Sequence, residues 1–129
     1  MVYQEDFEPN VSNSVTELFG SLLDRYPHIA VREWLIYMYE HNLNNPIILR
    51  AILYLIIYYP ELFKFNGITI ALASISNSSC EIQELSIRVF ENYYSEDSYS
   101  ALCSIKKQDE WLQRYIDEVK QNMKRRLCL

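Results

Sequence analysis

The residues in this chain able to do acid–base, metal or nucleophilic chemistry are two histidines, a scattered set of carboxylates and three cysteines. His28 and His41 stand thirteen positions apart, at opposite ends of one predicted helix. Helical rise separates them by about 20 Å, too far to share a metal or act as a pair. Glu84 and Glu91 fall on one helix face, the spacing of a solvated face as much as of a general acid and base. Gly20 and Gly67 are the only glycines, so no phosphate loop can be built, and GxSxG is absent. Cys80, Cys103 and Cys128 form no CxxC pair, and only Cys128 has basic neighbours in sequence. They read as three free thiols in a reducing cytoplasm. The expectation is a protein that is not an enzyme and takes no cofactor, metal or small-molecule substrate.

Tyrosine carries more information. There are eleven, several of them paired or clustered. Arg50, Tyr54 and Tyr58 recur at i, i+4 and i+8, one stripe of a helix whose composition is that of a binding hot spot. The same stripe also fits tyrosines reaching the rim of a core. An offset of 34 residues sets Asn45–Ile52 against Ser79–Ser86, each a turn leading into a long helix. In that register Arg50 aligns with Glu84, Tyr54 with Arg88 and Tyr58 with Asn92. Stacked repeats would place Arg50, Tyr54, Tyr58, Glu84, Arg88, Glu91 and Asn92 on one concave wall, the predicted partner-binding site.

The elements that must hold such a wall are helices. Two Gly and four Pro in 129 residues leave little turn chemistry for an all-β fold. Residues 1–12 read as a loose arm, after which Asn13 or Ser14 caps a first helix with Glu17 at the capping-box spacing. Val15, Leu18, Phe19, Leu22, Leu23 and Tyr26 form its apolar face, and Pro27 ends it. A second helix spans His28 to His41, with Ala30, Trp34, Leu35 and Met38 inward. Pro46 to Pro60 is the most hydrophobic stretch and predicts a central helix buried on most sides. At about 20 residues a membrane span would be longer, so none is expected. Residues 62–66 read as a loop, and Gly67–Asn77 as a shorter helix for which a strand is the competing reading. Ser78 or Ser79 caps a helix from Cys80 to Tyr94, Ser98–Ile105 forms a short one, and Asp109–Arg126 the last. Trp34 and Trp111 are expected as core anchors.

The segment Glu81-Ile82-Gln83-Glu84-Leu85-Ser86-Ile87-Arg88-Val89-Phe90-Glu91-Asn92-Tyr93 resembles the second and third helices of an armadillo repeat. Ser86 stands where the family prefers Ala, Phe90 where it prefers Leu, and Arg88 where peptide-binding members have Trp. Asn92 matches the family's asparagine that hydrogen-bonds the backbone of an extended partner. The resemblance implies an all-α fold, a short right-handed α-α superhelix of armadillo or HEAT type with about seven helices, as one domain over residues 1–129. In overall character the chain is similar to immunity proteins of bacterial contact-dependent growth inhibition systems. That similarity implies a cytoplasmic protein that plugs the active site of a toxin, commonly a nuclease with a basic cleft.

Charge points the same way. Net charge is −5. Four of the twelve bases, Lys120, Lys124, Arg125 and Arg126, stand at the end. The eight before them face all seventeen acids, a balance of −9. A field of that sign disfavours nucleic acid and favours a basic protein partner. The acidic start, Met1–Asn10, is unlike a signal peptide. The function read from these features is non-catalytic protein binding, either by an immunity protein on a basic toxin domain or by an adaptor on an extended peptide.

Overall fold

The computed structural model describes residues 14–64 and 66–128. The arm over residues 1–12, and the cap assigned to Asn13 or the Ser14 side chain, lie outside them. The described residues form seven α-helices and no strand: α1 Ser14–Arg25, α2 His28–Glu40, α3 Pro46–Tyr58, α4 Gly67–Ser74, α5 Cys80–Phe90, α6 Glu96–Cys103 and α7 Glu110–Leu127. The fold is all-α, and Gly67–Ser74 is helix rather than strand. The chain divides into two compact units, Met1–Lys64 and Phe65–Leu129.

In the first unit α1, α2 and α3 pack pairwise on one another. Asn45 starts α3: its Oδ1 accepts from the backbone N–H of Ile47 at 3.1 Å and of Ile48 at 3.3 Å. Pro46 fills the first helical position, where its missing N–H costs nothing. Every residue from Ala51 to Ile57 is buried. At the end of α3 the Tyr59 hydroxyl donates to the Thr16 carbonyl of α1 at 3.1 Å. Gly20 leaves room for that approach, since a Cβ there would lie 3.3 Å from the same hydroxyl oxygen, a tight contact that the tyrosine would have to relieve by a few tenths of an ångström.

The second unit builds α4 onto α5, and α5 and α6 onto α7. Ser79, one of the two caps foreseen, accepts from Ile82 N–H at 3.4 Å. Asp109 caps α7, accepting from Trp111 and Leu112 N–H at 3.0 and 3.3 Å. Ser95 caps α6 through Ser98 N–H at 3.1 Å, so that helix begins earlier than its apolar residues suggest. Helix α5 stops at Phe90 and not Tyr94, the backbone N–H groups of Glu91, Asn92 and Tyr93 turning back to carbonyls three residues earlier. Lys107 ties the loop before α7 to the end of α4, its Nζ donating to the Ile75 carbonyl at 2.7 Å.

Two anchors are corrected. Trp34 is 49% and Trp111 50% exposed, whereas the buried residues of their helices are Val31 and Leu35, and Leu112, Ile116, Val119 and Met123. Each indole sits on the flank of its helix's apolar arc, and an indole is too large to be covered from one side. Cys80, Cys103 and Cys128 are free and exposed. Among the described residues no helix is long and apolar enough to cross a membrane.

Candidate protein-binding site

Helix α5 carries Glu84 and Arg88 at i and i+4, with Glu91 continuing the row one residue past its end, beside the buried Leu85 and Ile87. Helix α7 repeats the device with Trp111, Tyr115 and Glu118, again beside a buried row of Leu112, Ile116 and Val119. Packing of the two apolar rows brings the two polar rows together. They enclose a groove of about 280 Å³ lined by Glu84, Arg88, Trp111, Arg114, Tyr115 and Glu118.

The groove is cross-linked internally. Arg88 Nη2 donates to Glu84 Oε1 at 3.0 Å, and the guanidinium carbon lies 5.8 Å from the centre of the Tyr115 ring, within reach of a cation–π contact. The Tyr115 hydroxyl donates to the Glu91 carboxylate, joining α7 to α5. Burial, reinforced by that hydrogen bond and the Glu91 charge, holds the Tyr115 phenol well above its ordinary range. Burial alone would lower the Arg88 guanidinium. Its hydrogen bond to Glu84 and the neighbouring Tyr115 and acids more than offset this, so its pKa is raised. Trp111 closes one end, its ring 6.3 Å from that of Tyr115 and half open to solvent.

A surface so built is suited to binding. Arg88 and Tyr115 are already positioned by internal partners, which reduces the entropy lost when a ligand lands on them. Trp, Tyr and Arg are the residues that concentrate binding energy at interfaces. Among the described residues no three His, Cys, Asp or Glu are grouped to hold a metal ion.

The predicted site residues fare unequally. Glu84 and Arg88 meet on α5, and Glu91, just past its end, meets Tyr115. Asn92 is exposed just past that helix, its N–H donating to the Val89 carbonyl at 3.0 Å, and it does not line the groove. Arg50 and Tyr58 are half-buried on α3 in the first unit. Tyr54 has no exposure at all and stacks on Tyr58 with ring centres 6.5 Å apart. It cannot be a contact residue, because α3 is covered on every face at that level. Trp111, Arg114, Tyr115 and Glu118 were missed. Their signal was available, since 111, 115 and 118 repeat the spacing of 84, 88 and 91. It was hidden because Trp111 and Tyr115 also continue the apolar face of α7.

No protein family, curated protein or solved structure matches the chain.

Proposed function

We propose that this chain is a non-catalytic protein-binding module, in its sharpest form an immunity protein that neutralises a bacterial nuclease toxin by occluding its active site. The observation that carries the reading is the α5–α7 groove, where an exposed indole stands beside an anchored Arg–Tyr pair and the acids Glu84, Glu91 and Glu118. The aromatic groups supply buried contact area, and the carboxylates oppose the basic cleft that a nuclease needs for its substrate. A net charge of −5 speeds capture of such a partner. The armadillo-like superhelix implied by the α5 motif belongs to this proposal, as does a cytoplasmic location.

Coexpression tests it. The chain should rescue growth of cells producing the carboxy-terminal domain of a secreted toxin encoded beside it, and should inhibit that domain at one-to-one stoichiometry in solution. Cell death unaffected by the chain would reject the immunity reading.

One observation favours the alternative of an adaptor for an extended peptide. The groove runs on along α7 as a polar strip of Arg114, Asp117, Glu118, Gln121, Asn122 and Arg125, a track suited to successive residues of an extended chain. That reading expects modest affinity for short peptides, whereas an immunity protein holds one folded domain tightly.

A further inference from the structure

The chain holds a single Asn-Gly pair, Asn66-Gly67. It stands at the start of α4, where Asn66 is the residue just outside the helix and Gly67 the first within it. An asparagine carboxamide is an electrophile within reach of the next backbone nitrogen, and a following glycine leaves that nitrogen unshielded because it has no Cβ. Two other asparagines show the contrast. Asn45 precedes a proline, whose nitrogen carries no hydrogen to lose, and the Asn77 Oδ1 is held by the Ser79 N–H at 2.9 Å. The Asn66 side chain makes no capping hydrogen bond and is half-buried, so water reaches it.

The closed helix holds the reaction back. The ring to be formed contains the Asn66 Cα–C bond, so Cβ and the Gly67 nitrogen must come nearly eclipsed across it. At the observed ψ of −22° the Asn66 nitrogen takes that eclipsed place instead. Rotating ψ breaks the bond from the Ile70 N–H to the Asn66 carbonyl, 3.0 Å long and the first of α4. That bond is weakly defended. Helices α5, α6 and α7 each have a side-chain cap and an acid in the first turn, whereas α4 has neither. Helix ends without such support open most readily. We infer that Asn66-Gly67 is a site of spontaneous modification, at which the Gly67 nitrogen displaces ammonia from the Asn66 carboxamide whenever the first turn of α4 opens. The bond from the Gly67 nitrogen to Cγ forms, the Cγ–Nδ2 bond breaks, and the Gly67 amide proton leaves with the ammonia. Water then opens the imide at either carbonyl, to Asp or to isoaspartate. Each product adds one negative charge, and the Asp form supplies α4 with the acidic cap it lacks.

Peptide mapping tests this. The full chain is aged in mildly alkaline buffer, cleaved after Lys64 and Arg88 with trypsin, and the fragment Phe65–Arg88 is read by tandem mass spectrometry. Asn66 should gain one mass unit severalfold faster than Asn77 in the same fragment, after a transient loss of the mass of ammonia. Gly67→Ala should slow the gain severalfold, and Asn66→Gln, whose longer side chain cannot close the same ring, should abolish it. Circular dichroism checks that both variants remain helical. A native chain in which Asn66 stays intact while the urea-unfolded chain converts overturns the proposal, since α4 then does not open. So does conversion that Gly67→Ala leaves unchanged, which means direct hydrolysis, and so does Asn77 reacting first.

Discussion

Tyr115 joins α7 to α5 through Glu91, and its raised pKa has a defined consequence. Folding favours the protonated phenol, so the folded chain holds that proton more tightly than the unfolded chain, whose tyrosines ionise near 10.0. Stability from this group is complete below that pH and falls as pH rises beyond it. Tyr115→Phe should therefore flatten the alkaline loss of stability in urea titrations, and tyrosinate absorbance of the native chain should show this phenol ionising later than the exposed ones. An alkaline limb identical in both proteins would contradict the link to Glu91. Trp111 gives a contrasting expectation. With half its surface in solvent, Trp111→Ala should cost only about 1 kcal/mol, whereas Ile116→Ala, fully buried on the same helix, should cost about 2–5 kcal/mol. Chemical denaturation of the two variants separates them. At this scale the sequence was only partly legible. Periodicity locates an apolar arc, but a tryptophan at its edge can be core or surface, and one helix alone does not say how far its neighbours reach.

Helices were legible for local reasons. Asn45 before Pro46, Ser79 before Cys80 and Asp109 before Glu110 are each a side-chain acceptor in front of a helix, and all three are seen capping. Asn45→Ala should cost about 1 kcal/mol, measurable as a lower unfolding midpoint with an unchanged denaturant slope. A cost near zero would mean that α3 is held by burial alone. The central helix was also readable, since a run with Arg50 as its sole charge has no polar side to leave in water. That same all-round burial is why its tyrosine stripe misled: the i, i+4, i+8 pattern was correct, but Tyr54 lies where α3 has no open face. The end of α5 was misplaced because Tyr93 and Tyr94 continue its apolar pattern while backbone turns at Glu91–Tyr93 break the helix. Cross-helix ties such as Lys107 to the Ile75 carbonyl, 32 positions away, leave no trace in periodicity.

For the whole molecule, charge was readable from composition and its placement was not. The acids of the second unit are partly consumed internally, Glu84 by Arg88 and Glu91 by Tyr115, so Glu118, exposed at the groove, is the better probe of electrostatic capture. Glu118→Lys should slow association with a basic partner and reduce its salt dependence, whereas Trp111→Ala should act on the dissociation rate. Glu61→Lys, an equal change of charge in the first unit, serves as the control for net charge. The most direct measurement is the stopped-flow kinetics of this chain, and of those three variants, with the folded toxin domain that the proposed function assigns to it as a partner. The account predicts tight one-to-one binding, with slower association for Glu118→Lys than for Glu61→Lys and dissociation about tenfold or more faster for Trp111→Ala. Tight binding that Glu118→Lys and Trp111→Ala both leave unchanged, or no binding at all, would contradict it.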